Sequence, residues 1–110
     1  MNPQRGYRDP VYIIKDIILT LVEYGELNQT SLISFCGLNL TKHRSLLDGL
    51  EQNEMISKYE EKQGKRKVTM YKVTPKGIDF CQTILEPYEN IFPRKEKSIK
   101  DKNLSLFIFV

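Results

Sequence analysis

Two cysteines, a single histidine and no long apolar run are all that this sequence offers in those categories, and each shortage excludes something. Cys36 and Cys81 stand apart without a Cys-x-x-Cys pair, and His43 has no partner at metal-ligand spacing, so neither a metal site nor a cofactor is expected. Both thiols fall inside amphipathic patterns, where cysteine behaves as a small buried apolar group. No secretory-signal pattern precedes them, and a reducing, cytoplasmic (nucleoid-associated) setting is the expectation. Nothing approaches the roughly 20 apolar residues of a membrane-spanning helix, which removes the membrane from the expected partners. Local spacing places no two carboxylates as acid and base, Ser, His and Asp form no nucleophile motif, and a Gly-rich phosphate loop is missing. Catalysis has no residues to rest on, an enzyme is not expected, and no small-molecule ligand is evident.

What is present suits one core. With 110 residues, 40% hydrophobic and 28% charged, the chain is long enough for one domain and too short for two. We expect a domain over 1–92, including a C-terminal helix, and a tail over 93–110 that is first basic and then apolar. The net charge of +3 is small, but its distribution is uneven. Lys58, Lys62, Lys65, Arg66 and Lys67 face only Glu60 and Glu61 in one segment; Arg94, Lys95, Lys97, Lys100 and Lys102 face only Glu96 and Asp101 in another. Such segregation suits a protein that turns one positive side to a polyanion.

Periodicity supplies the elements. Val11, Ile14, Ile17, Ile18, Leu21 and Val22 recur at three and four residues, predicting a helix from Pro10 to Tyr24 with Asp9 as N-cap and Gly25 as stop. Glu26-Leu27-Asn28 reads as a minimal strand. Asn28 or Thr30 then caps a second helix carrying Leu32, Ile33 and Cys36, which Gly37 breaks. Asn39 or Thr41 caps a third helix running to about Asn53, with Leu40, Leu47 and Leu50 on one side. Two short helices joined by a Gly-containing turn match a helix-turn-helix.

After Met55 the period changes. Ile56 to Tyr59 reads as one strand and Lys67 to Val73 as another, joined by a long basic connection with Gly64 at its tip. Thr74-Pro75 restarts a helix, whose Ile78, Cys81, Leu85, Tyr88 and Phe92 form a heptad-like stripe; Pro87 is expected to kink or end it near Glu86. The apolar end, Leu104 to Val110, has no assigned role: strand addition, packing on a partner and an aggregation-prone tail all remain open.

The resulting fold class is mostly α with a small antiparallel β-hairpin (α+β), in the order helix, strand, helix, helix, strand, wing, strand, helix. Over roughly 9–86 this order resembles the winged helix-turn-helix family, particularly the compact versions common among archaeal transcription regulators. Its most specific pieces are the run from Leu47 to Ile56, similar to the family's LxxLExxGLI, and the run from Tyr71 to Gly77, similar to YxLTxKG. The departures are Asn53-Glu54, where a glycine is frequent, and Pro75, where a charged residue is usual. Asn tolerates a left-handed turn and Pro suits a helix start.

The resemblance implies a partner, double-stranded DNA, and a regulatory role in transcription, with the third helix in the major groove and the wing on the backbone. Away from the leucine face lie Thr41, Lys42, Arg44, Ser45 and Asp48. Arg44 suits guanine, whereas Lys42, Thr41 and Ser45 suit phosphates. His43 falls on the inner stripe, which leaves packing and DNA contact both open. Lys62, Lys65, Arg66 and Lys67 form the expected wing contact. The stripe Ile78, Cys81, Leu85, Tyr88, Phe92 implies either a homodimer interface on the last helix or packing against the first helix. Two other functions stay in view: a non-specific chromatin-type DNA binder, and a winged-helix module that docks on protein.

Overall fold

The computed structural model describes residues 9–94. Helix α1 spans Pro10–Tyr24; Asp9 accepts the Val11 N–H at its start, and Gly25, at φ 84°, returns its N–H to Leu21 at its end. Strand β1 (Glu26–Asn28) leads into α2 (Gln29–Cys36), capped by Asn28 through the Ser31 N–H and closed by Gly37 in the left-handed region. Helix α3 (Leu40–Gln52) follows, capped by Asn39. Strands β2 (Ile56–Gln63) and β3 (Arg66–Val73) form the wing. The last helical segment comprises α4 (Pro75–Phe80), a π-helical turn (Cys81–Leu85) and α5 (Glu86–Ile91).

The three strands form one antiparallel sheet in the order β1-β3-β2, with Leu27 opposite Tyr71 and Ile56 opposite Val73. Directly opposed residues share a face, so Leu27, Ile56, Tyr71 and Val73 together cover the helices. The main core joins Ile13, Ile17 and Leu21 of α1 to Leu32 and Cys36 of α2, Leu47 and Leu50 of α3, and Ile56 and Tyr71 of the sheet. Each fully buried aliphatic side chain here contributes about 1.5–3 kcal/mol. A satellite cluster of Ile18, Cys81 and Leu85 fastens the last helical segment to α1.

Three expectations are corrected. Of the two outcomes expected at Pro87, a kink or an end, the end is removed: the last helix continues to Ile91. A proline at 87 removes a donor and crowds the turn before it; the preceding turn is widened, with the Glu86 N–H bonded to the Cys81 carbonyl, as a π-bulge allows. The wing has no long loop either. Its strands run through the basic segment and are joined by two residues, Gly64 and Lys65, with Gly64 at φ 64°, because a positive φ at the first turn position matches the twist of the ribbon. Finally, the left-handed residue after α3 is Glu54 (φ 63°), not Asn53 (φ −91°).

That turn is held from the other end of the wing. Thr74 donates its hydroxyl to the Glu54 carbonyl (2.6 Å) and its N–H to the Met55 carbonyl (3.1 Å), while its Oγ1 accepts the Gly77 N–H (3.0 Å). A Cβ at Gly77 would lie 2.1 Å from the Met55 oxygen, so the glycine of the Thr-Pro-Lys-Gly run is required by close backbone approach. One tie therefore fixes the end of α3, the base of the wing and the start of α4.

Candidate nucleic-acid interface

Helix α3 turns Leu47 and Leu50 inward and leaves Thr41, Lys42, Arg44 and Ser45 exposed, with His43 and Asp48 half-buried. His43 does more than pack. Its Nδ1 accepts the Asn39 N–H (3.0 Å), while Asn39 Oδ1 accepts the Lys42 N–H (3.0 Å).

All four wing cations, Lys62, Lys65, Arg66 and Lys67, are exposed. The register puts Lys62 directly opposite Lys67 and Gln63 opposite Arg66. By alternation, Lys62 and Lys67 continue the sheet face that carries Ile56 and Tyr71 toward the helices, Arg66 lies on the reverse face, and Lys65 occupies the turn. Like charges directly opposed in a ladder destabilise it. Near the wing base, Lys58 meets Glu51 of α3 at 3.7 Å, joining the ribbon to the helix. Tyr59 donates its hydroxyl across β3 to Glu26 on the far edge strand, and this bond, before any burial, pushes the phenol up to about 12. The wing is thus braced on both sides, whereas Lys42, Arg44, Lys62, Lys65, Arg66 and Lys67 form no ion pair with another described residue.

Arg94, expected to belong to a polyanion-binding tail, is used inside the fold. Its guanidinium meets Glu89 (2.6 and 2.9 Å) and Asp16 (3.1 and 3.2 Å) and lies 4.8 Å from the centre of the Tyr12 ring. Lys15 reaches the same Glu89 at 2.9 Å. The four charged side chains are only 5–13% exposed. Burial alone pushes the Glu89 carboxyl up, but the bonds from Arg94 and Lys15 outweigh it and hold the group at about 2. The interleaved signal was Lys15-Asp16 inside an otherwise apolar stripe. Expectations on Lys95 to Lys102 and on Leu104 to Val110 lie outside the described residues.

The proposed dimer stripe divides. Cys81 and Leu85 are buried against Ile18 of the same chain, and burial, followed by the Glu86 charge, pushes the Cys81 thiol up to about 11. Ile78 and Tyr88 are half-buried, and Tyr88 packs beside Tyr12 and Phe92. The outward apolar residues of this segment are Ile84 (52% exposed), Ile91 (69%) and Phe92 (57%). No helix of the described residues is long and apolar enough to cross a membrane, and no group of three potential metal ligands occurs among them.

Comparison with known proteins agrees with this arrangement. The family model described as winged helix-turn-helix matches residues 7–96. No curated protein matches the chain. Among solved structures, the circadian clock associated protein Pex from anabaena is similar at 25% identity and a TM-score of 0.60, over 78% of this chain and 82% of that one. A MarR family transcriptional regulator from Silicibacter pomeroyi is 17% identical with a TM-score of 0.56, over 88% of this chain and 66% of the other. Reduced AbfR bound to DNA is 19% identical with a TM-score of 0.57, over 96% and 69%. The last two likenesses bear on the fold alone. From the match over 7–96, joined to a helix-turn-helix and a two-stranded wing in the right order, the chain belongs to the winged helix-turn-helix family.

Proposed function

We propose that this chain is a DNA-binding transcription regulator that seats α3 in the major groove of duplex DNA and lays its wing along the phosphate backbone. The observation that carries this reading is the set of six exposed cations, Lys42 and Arg44 on α3 and Lys62, Lys65, Arg66 and Lys67 toward the wing tip, without acidic partners, above all the Lys62–Lys67 pair, whose mutual repulsion a phosphate between them would relieve. Arg44 is assigned to a guanine edge, Lys42, Thr41 and Ser45 to phosphates, and Lys65 and Arg66 to the backbone beyond. The working place is the cytoplasm, on the nucleoid.

A homodimer through the last helix is the accompanying proposal, now resting on Ile84, Ile91 and Phe92 rather than on Cys81 and Leu85. Sedimentation at micromolar concentration is expected to give two chains per particle; a single chain removes the dimer and leaves the DNA reading standing.

The deciding test titrates the protein into a labelled random duplex across a salt series, beside a variant with Lys65→Glu, Arg66→Glu and Lys67→Glu. Affinity should fall linearly in log–log form, with a slope reduced in the variant by about 0.9 for each phosphate it no longer neutralises. A chromatin-type binder would show nearly equal affinity for all duplexes, whereas a regulator should gain about a thousandfold at its own site. Absence of binding at low salt would transfer the reading to a protein-docking winged helix.

A further inference from the structure

The start of α3 is closed twice. Asn39 Oδ1 accepts the Lys42 N–H at 3.0 Å, and in return the Asn39 N–H donates to His43 Nδ1 at 3.0 Å. The His43 N–H also donates to the Asn39 carbonyl at 2.8 Å, so three hydrogen bonds tie the cap residue to the first turn. Asp9, Asn28 and Thr74 cap α1, α2 and α4 through one side-chain acceptor each; among the described residues none of these caps has its own N–H accepted by a side chain of its helix. The return bond resembles a capping box moved one position along, with an imidazole in place of the usual carboxylate or amide.

This bond dictates the chemical state of the ring. Nδ1 accepts only with its lone pair free, which places the proton of the neutral imidazole on Nε2. The bond also gives the side chain a role, because Thr41, Lys42 and Arg44 occupy the turn that the cap holds. We infer that His43 is a positioning residue for DNA binding, whose neutral, Nε2-protonated ring locks the N-terminal turn of α3 in the geometry that presents Thr41, Lys42 and Arg44 to the duplex. The inference rests on α3 being the DNA-reading helix, and it replaces a direct DNA contact by His43.

Two variants separate positioning from contact. His43→Asn puts a carbonyl oxygen where Nδ1 stands but has nothing in place of Nε2; His43→Ala has no acceptor at all. Random-duplex affinity is expected to fall about fivefold in the alanine variant, the equivalent of one missing helix cap, and to stay near that of the parent in the asparagine variant. Equal losses in both would show that the ring touches DNA, and no loss in either would show that the lock is idle; both overturn the inference. In the free protein, the one histidine of the chain should give the 15N signature of the Nε2–H tautomer, and the Asn39 amide should be protected from exchange in parent and His43→Asn but not in His43→Ala. An Nδ1–H signature overturns the lock by itself. Because these two readouts need no DNA, failure of the parent to bind any duplex would refute the DNA reading and leave the capping result intact.

Discussion

Two groups of charges in this molecule are built in opposite ways. At the joint between α1 and the last helical segment, Lys15 and Arg94 are matched by Asp16 and Glu89 and hidden from water. On α3 and toward the wing tip, Lys42, Arg44, Lys62, Lys65, Arg66 and Lys67 stand exposed, without an ion pair to another described residue, and in one rung face each other. The first arrangement satisfies each charge within the chain, as burial demands, because an unpaired buried ion is costly. The second leaves charge unsatisfied where water can bear it, which serves a ligand of opposite sign. Counting basic residues along the sequence mixes the two; only partnership separates them, and it moves Arg94 out of the basic tail and into the structural group.

The division is exposed to direct test. Glu89→Gln should cost about 3 kcal/mol of stability by urea unfolding, since it leaves Lys15 and Arg94 with too little negative charge. Duplex affinity of the folded protein, and its salt slope, should not move; a changed slope would mean that the joint also serves DNA. Acid should act through the same carboxylate. Its pKa in the folded protein, about 2, lies below the ordinary 4.5, so its contribution is complete above the ordinary value and is lost as pH falls from about 4.5 through about 2. Urea midpoints measured down this range should decline in the parent and flatten in Glu89→Gln.

The smallest effect is the most discriminating. Lys62→Gln removes one of two like charges facing across the ladder, and stability should rise by about 0.2–1 kcal/mol while the salt slope of duplex binding shrinks by about 0.9. A gain in stability with an unaltered slope would reduce the wing cations to a solvated surface and erase the contrast.

Much of the architecture was legible in the sequence because its signals are local. Asp9-Pro10, Asn28 with Gly37, and Asn39 mark the helix ends, and Leu47 and Leu50 repeat on the buried side of α3. The wing strands were read short because β2 beyond Ile56 is exposed throughout, and a ribbon solvated on both faces shows no alternation of apolar and polar residues. Glu54 escaped because Glu has no intrinsic preference for the left-handed region; the turn is closed locally by the Met55 N–H on the Leu50 carbonyl and from the wing by the Thr74 hydroxyl on the Glu54 carbonyl. The Arg94 site was invisible for a different reason: Asp16 lies 78 residues away along the chain, and no local spacing encodes such a pairing. His43 shares the period of the leucine face and is half-buried, but the return bond to Asn39 depends on ring orientation that periodicity does not carry.

The two-residue tip at Gly64 and Lys65 makes the wing a ruler rather than an arm. Its reach comes in rungs of about 3.3 Å, and extending it requires residues added in pairs, one on each strand. A single residue inserted into β3 between Lys67 and Tyr71 would roll either the cation or the core tyrosine to the wrong face, since each step along a strand reverses the side chain. The distance between α3 and the cations at Lys62 and Lys67 is accordingly graduated, and such a domain can lengthen or shorten that span only in whole marks.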